Sequence, residues 1–317
     1  MLFWLKRLAA ASAVALVAAC GGNDDDDLAQ PPAPLKNIVE TAQANSDFSI
    51  LVEAVVAADL ATTLSAPGGT LTVFAPTNAA FAALLAELGL TKAQLLADKP
   101  LLTAVLTYHV LPTRVVKARV PLGAPITTLE GGYFKIDEVG SAFVITDGRN
   151  RTSNITATDI PADNGIIHAI DKVLLPADKN IVETAQALPD FSILVEAVVA
   201  ANLVDTLSGA GPLTVFAPTN AAFASLLAEL GISKAVLLAD TALLTKVLTY
   251  HVVPGLVLKA EVPVGTPITT AQGEAFTVSA ALAITDRRVR ASNIVATDVL
   301  TSNGVIHVVD KVILPAP

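Results

Sequence analysis

Four histidines are the residues of this chain best suited to chemistry, and they fall in two matched pairs: His109 with His168, then His251 with His307. An imidazole can ligate zinc, move a proton near neutral pH, or sit in a core with both ring nitrogens hydrogen-bonded. Zinc needs three or four protein ligands, and no cysteine or close set of acids accompanies either pair. His168 alternates with Ile166 and Ile170, and His307 with Val305 and Val309, which is the period of one strand face. That setting predicts a buried, hydrogen-bonded ring. Nucleophilic chemistry has no support: there is no G-x-S-x-G elbow, Ser208 lies in the loop-like "LSGAG", and neither half carries a glycine-rich phosphate loop. Asp171 and Asp310, each followed by lysine, read as paired with the adjacent cation or solvated rather than as general bases. No catalytic, cofactor-binding or metal-binding residue is expected, and the chain reads as a non-enzyme.

The pairs recur because the whole chain recurs. "LTVFAPTNAAFA" stands at Leu71–Ala82 and again, unchanged, at Leu213–Ala224. "NIVETAQ", "DFSILVEAVVAA", "LTYHV" and "PITT" also return, and "NGIIHAIDKVLLP" at Asn164–Pro176 answers "NGVIHVVDKVILP" at Asn303–Pro315. Asn37 returns as Asn180 and Asn164 as Asn303, so the offset shrinks from 143 to 139 through small deletions. A period of that length is a whole domain rather than a solenoid repeat. The expected organisation is a leader over 1–19, a tether over 20–34, one domain over 35–176 and a second over 178–315.

Within each copy the elements that must position the histidines can be read. Phe48, Leu51, Val52 and Val55 follow a helical stripe, with Asp47 placed to cap or favour its first turn. "LTVFA" reads as a buried strand ended by Pro76. Thr77 can cap a helix whose inner face is Phe81, Leu84, Leu85 and Leu88, and Gly89 stops it. "PLLTAVLTYH" is a further helix. "VVKARV", "YFKI", "AFVITD", "NITATDI" and "IIHAIDKVLL" read as strands between glycine and proline turns. Helices crowd the first half of each copy and strands the second, which predicts α+β.

The 317 residues are 53% apolar and carry a formal net charge of −9, with aromatics at 4%. No basic block suits nucleic acid, and base-stacking platforms are scarce. The arginines Arg149 and Arg151, matched by Arg287, Arg288 and Arg290, form the only local basic cluster noted; they read as a solvated hairpin, with an acidic glycan or a neighbouring domain as alternative contacts. At the N-terminus, Lys6 and Arg7 precede an apolar run from Leu8 to Ala19 and then Cys20, the single cysteine. This is the layout of an export signal, and "VAAC" resembles a bacterial lipobox, which implies a lipid on Cys20. Loss of residues 1–19 removes Lys6 and Arg7 and no acid, taking −9 to −11. The following "GGNDDDDLAQPPAP" is a solvated acidic and proline-rich tether.

"TVFAPTNAAF", the Tyr-His pair and "NGVIHVVDKVILP", in that order in both copies, resemble the fasciclin domain family. The resemblance covers Leu35 to Pro315. It implies two tandem domains, each a β-sandwich wedge with helices packed on it and no cofactor. It also implies an extracellular or surface-anchored protein serving adhesion or matrix contact. In animal members adhesion is assigned to an Asp-Ile pair ahead of the second signature and to the Tyr-His segment. Those positions here are Asp159 with Ile160, Asp298 with Val299, Tyr108 with His109, and Tyr250 with His251. The competing reading gives them fold maintenance: an acid closing a turn, an aliphatic plug and a buried aromatic. The expected role is a lipid-anchored protein of the bacterial outer membrane, on its surface or periplasmic face. It would bind a cell-surface or matrix protein or a polysaccharide, and touch the membrane only through its lipid. The alternative is a non-adhesive periplasmic support for other complexes.

Overall fold

The computed structural model describes residues 34–317; the leader, Cys20 and all of the tether but Pro34 lie outside the described residues. Leu35–Pro317 form one compact unit. In the first copy the helices are α1 (Ile38–Gln43), α2 (Ser49–Ala57), α3 (Ala61–Leu64), α4 (Asn78–Leu88), α5 (Lys92–Ala97) and α6 (Lys99–Tyr108). The strands are β1 (Leu71–Pro76), β2 (Val110–Leu111), β3 (Pro125–Thr127), β4 (Tyr133–Val139), β5 (Ala142–Thr146), β6 (Thr152–Ala162) and β7 (Gly165–Ile170). The second copy repeats them as α7 (Ile181–Gln186), α8 (Ser192–Ala200), α9 (Val204–Ser208), α10 (Asn220–Leu230), α11 (Lys234–Ala239) and α12 (Thr241–Tyr250). Its strands are β8 (Leu213–Pro218), β9 (Val252–Pro254), β10 (Ile268–Thr269), β11 (Ala275–Val278), β12 (Ala283–Thr285), β13 (Ala291–Thr301) and β14 (Gly304–Val309).

The strand order β2-β1-β7-β6-β5-β4-β3 is antiparallel except for β1 on β7, and the second copy has the same order. The repeated "LTVFAP" is therefore an inner strand, buried on both faces. Val73 and Ala75 pack with the helices, while Phe74 points the other way into a cluster with Phe134, Ile136, Ile145 and Ile170. Phe74 and Phe134 meet edge to face at 5.2 Å. Strands from both ends of the sheet share that second cluster, so each copy is a sandwich wedge with helices on one outer face.

Local signals account for the helix ends. Thr77 caps α4 by accepting from Ala80 N, and Gly89 closes it at φ +64°. Leu88 is more exposed than the helical stripe implies. Asp47 does not cap α2; Asn78 reaches across and accepts from Ile50 N at 2.9 Å instead. "VVKARV" is not a strand. Its donors are taken by side chains, Val115 N by Thr72 Oγ1 and Lys117 N by Asp159 Oδ1, which leaves no ladder, and Lys117–Arg119 close into a 3₁₀ turn. The strand in "IIHAIDKVLL" ends at Ile170, and Val173 to Leu175 continue as a buried irregular segment.

Candidate partner-binding site

The Tyr-His pairs are interior. Tyr108 and Tyr250 are fully buried at the ends of α6 and α12, and His109 and His251 follow them inward. Tyr108 Oη donates to Tyr133 O at 2.7 Å and accepts from Gly148 N at 2.8 Å, so one hydroxyl ties β4 to the β5–β6 turn. His109 Nε2 accepts from Leu174 N at 2.9 Å, which makes Nδ1 the donor to Val105 O at 2.7 Å. His251 repeats this with Ile313 N and Val247 O. Burial holds both rings neutral, with their pKa values pushed down to about 4. These four residues are buried, and their hydrogen bonds fix the strands and turns around them.

His168 and His307 are buried on the opposite side of the bulge in β6 and β13. Asp159 N donates to His168 Nδ1 at 3.2 Å, and His168 Nε2–H donates to Val115 O at 2.9 Å. Asp298 N, His307 and Val257 O repeat the arrangement. The ladders slip between Ala157 and Ile160 and between Ala296 and Val299, so each Asp is the bulge residue, at φ +61° in both copies. The acid that the fold-maintenance reading has closing a turn thus sits mid-strand, within the run read as a strand. Aspartate tolerates this left-handed conformation, and its carboxylate takes the N–H of Lys117 at 2.9 Å or of Lys259 at 2.7 Å. The aliphatic neighbours turn inward: Ile160 and Val299 pack against the helical cores.

Here the copies part company. Asp159 is exposed, whereas Asp298 is buried beneath the first copy. Lys135 Nζ reaches Asp298 Oδ2 at 2.8 Å and Asp137 at 3.1 Å. Burial opposes its charge, but the bonds to Asp298 and Asp137 outweigh that and hold the ammonium above its ordinary pKa. Asn150 Nδ2 donates to Leu300 O at 3.0 Å and its Oδ1 accepts from Leu300 N at 2.7 Å. Tyr133 Oη shares its one proton between the carbonyls of Thr301 and Gly304 and lies against Leu258, Leu300 and Val305. Burial pushes the Tyr133 hydroxyl up to about 12, so it stays a donor.

The arginine turns are internally tied, and Arg149, Arg287 and Arg288 stay exposed as the solvated reading expects. Asp147, buried, accepts from Arg149 N, Arg151 N, Arg151 Nε and Leu175 N, and Arg151 also reaches Glu87. Arg290 meets Glu229, Arg149 meets Asp178, and Arg287 meets Glu274. Asp171 and Asp310 are not paired with the adjacent lysines. Each accepts from the backbone and side-chain amides of an asparagine on the neighbouring strand, Asn154 and Asn293.

Among the described residues, no group of three or more histidines, cysteines or acids is placed to hold a metal ion. The fasciclin domain model matches residues 46–176 and 189–315. The chain belongs to the fasciclin domain family. It is 48% identical over 138 residues to Protein sll1483 of Synechocystis sp., a match that takes in 43% of this chain and 73% of that one. It is 29% identical over 255 residues to periostin of Homo sapiens, covering 79% of this chain and 28% of the relative. Against transforming growth factor-beta-induced protein ig-h3 of Sus scrofa it is 29% identical over 251 residues, covering 78% and 35%. The chain therefore spans about a third of the two animal relatives' length. A FAS1 domain pair from the insect cell adhesion molecule Fasciclin I aligns over 87% of this chain and 95% of that one, at 18% identity and a TM-score of 0.41.

The residues that join the copies, Tyr133, Lys135 and Asn150, were not singled out from the sequence. A signal was present: their counterparts are Ala275, Thr277 and Val289, differences between two copies whose folding motifs match.

Proposed function

We propose that this fasciclin protein is held in the bacterial outer membrane by a lipid on Cys20 and binds a cell-surface or matrix protein or polysaccharide through the bulge edge of its first copy, at Asp159 and Ile160. The observation that carries the reading is the unequal use of one surface. In the second copy the bulge edge, with Asp298 and Leu300, is already a docking face, closed by the first copy. The first copy presents the same backbone with its aspartate exposed. No helix among the described residues is long and apolar enough to cross a membrane, so the described residues supply no helical span.

Two measurements test this. Cys20→Ser is expected to release the protein from the membrane fraction or block its processing; unchanged size and membrane association would remove the anchor. Asp159→Asn is expected to reduce retention of the protein on intact cells at unchanged melting temperature. Protease shaving of intact cells separates the two sides of the membrane: a protein resistant to shaving, with Asp159→Asn silent, is a periplasmic support.

A further inference from the structure

The segment that follows β2 carries Arg114, Lys117 and Arg119, all exposed. Every described arginine in the two tied turns has a carboxylate or carbonyl partner, Arg288 through Pro315 O. Arg114 and Arg119 have no side-chain hydrogen bond or ion pair among the described residues, and the ammonium of Lys117 lies only over the ring of Phe143, 5.1 Å from its centroid. The second copy replaces the set. Arg114, Lys117 and Arg119 correspond to Leu256, Lys259 and Glu261, so the same backbone carries three positive charges in one copy and, with Lys259 cancelled by Glu261, none in the other. Leu258, whose counterpart is Val116, is fully buried beside Tyr133. One face has become apolar to receive a domain. The other has become basic on a protein of net charge −9.

We propose that the first copy's bulge face binds an acidic polysaccharide, an inference that rests on the adhesive reading above and names its ligand class. Guanidinium groups pair with carboxylates in bidentate fashion, and a repeating polyuronate lets several cations engage at once without a fitted pocket. Sugar hydroxyls need acceptors as well. Asp159 supplies one: its Oδ1 takes Lys117 N–H, which ties the basic segment to the bulge, and its Oδ2 has no bond within the described residues. A mixed face of three cations and one carboxylate therefore matches a ligand that carries both anions and hydroxyls. A second copy of this chain does not fit. The docking donors Tyr133 and Lys135 become Ala275 and Thr277 in the second copy, and Asn150 becomes Val289. The first copy's own donors are already engaged. A folded protein partner fits less well, because the face exposes Pro161 while its aromatic, Phe143, is half-buried beneath the Lys117 ammonium and is not free to serve as an anchor of the kind that dominates protein interfaces.

The test uses the full chain in detergent over immobilised polygalacturonate at low ionic strength, with neutral dextran as the blank and mixed micelles containing anionic phosphatidylglycerol as the competing surface. Polygalacturonate is expected to retain the parent in a salt-sensitive manner. R114E/R119E is expected to lower affinity at least tenfold, and Asp159→Asn to lower it a few-fold. K234E/K311E changes net charge equally at exposed positions of the second copy away from its docking face and is expected to stay within twofold. Equal loss in both double variants reduces the effect to net charge and overturns the proposal. So does binding confined to the phosphatidylglycerol micelles, or no binding to either surface. If polygalacturonate fails while Asp159→Asn still reduces retention on cells, the adhesive reading stands and the polysaccharide assignment falls.

Discussion

Lys135 and Asp298 form an ion pair at 2.8 Å that joins the two copies, with the aspartate side chain 3% exposed and the lysine 14%. Two groups this dry were removed from water at a cost, and their attraction is worth most while both remain. Asp298→Asn keeps a residue tolerant of the left-handed bulge and strands the ammonium with Asp137 alone. Lys135→Met strands the carboxylate with one backbone N–H. Each single change is expected to cost about 2–4 kcal/mol and the pair less than their sum, a coupling of about 2 kcal/mol in a denaturant double-mutant cycle. Additive costs would mean that the contact contributes nothing to holding the copies together.

Separation of the copies should be unequal in effect. The second copy hides Leu258 and Leu300 under the first, while the first hides mainly Tyr133. A large apolar side chain returned to water costs about 1.5–3 kcal/mol. Both 35–177 and 178–317 are expected to melt cooperatively, with 178–317 the less stable and the more prone to associate. A non-cooperative melt from both would remove the two-domain reading.

Tyr108→Phe deletes one oxygen and leaves Gly148 N and Tyr133 O without it. Gly148 stands two residues from Asn150, and Tyr133 begins the strand that carries Lys135. A cost of about 1–3 kcal/mol is expected from the orphaned groups. Hydrogen exchange should also rise at Leu300 N, which bonds to Asn150 Oδ1 across the interface. Exchange confined to the first copy would show that the hydroxyl braces only its own domain.

Stability should fall on the acid side before the carboxylates titrate. His109 and His251 have folded pKa values of about 4 against an ordinary 6.5, so the unfolded chain binds the extra protons. Their contribution is complete above pH 6.5 and is lost as pH falls from 6.5 toward 4, on the order of 3 kcal/mol for each fully buried ring. His251→Gln should be less stable at pH 7.5 and show a shallower decline to pH 4.5 than the parent. Parallel declines would place the sensitivity elsewhere.

The α+β division, the helices and the burial of His168 and His307 were legible because each rests on periodicity or on a short cap-and-turn signal; the sandwich followed only from the resemblance to the fasciclin domain family. Thr77 with Gly89 fixes α4 from local chemistry alone. What escaped depended on distant partners. The 3₁₀ turn at Lys117–Arg119 exists because Thr72 and Asp159 take its donors, and Asn78 caps α2 from 28 residues away. Asp159 and Asp298 stand in nearly identical sequence, "TDI" against "TDV", yet one is exposed and the other buried. The difference lies on β4 and the β5–β6 turn, in Tyr133, Lys135 and Asn150, and no reading of the aspartates' own neighbours contains it.

Asp159 and His168 share a single hydrogen bond, and their variants should separate binding from folding. His168→Ala removes a buried ring packed 5.3 Å from Phe74, leaves Val115 O without its donor, and frees the N–H that sets the bulge. The cavity and orphaned groups are expected to cost about 2–4 kcal/mol. Asp159→Ala carries its own penalty, because φ +61° disfavours alanine and the bond to Lys117 N is lost; about 1–2 kcal/mol is expected. Asp159→Asn retains tolerance of that backbone and an acceptor for Lys117 N, and should stay within about 0.5 kcal/mol of the parent. Retention on cells should then fall for Asp159→Asn at full stability. For His168→Ala it should fall only to the extent that the thermal melt shows unfolded protein at the assay temperature. A His168→Ala variant that melts like the parent but no longer binds would make the imidazole a contact residue, contrary to its burial. A binding-competent Asp159→Asn would move the partner off the bulge.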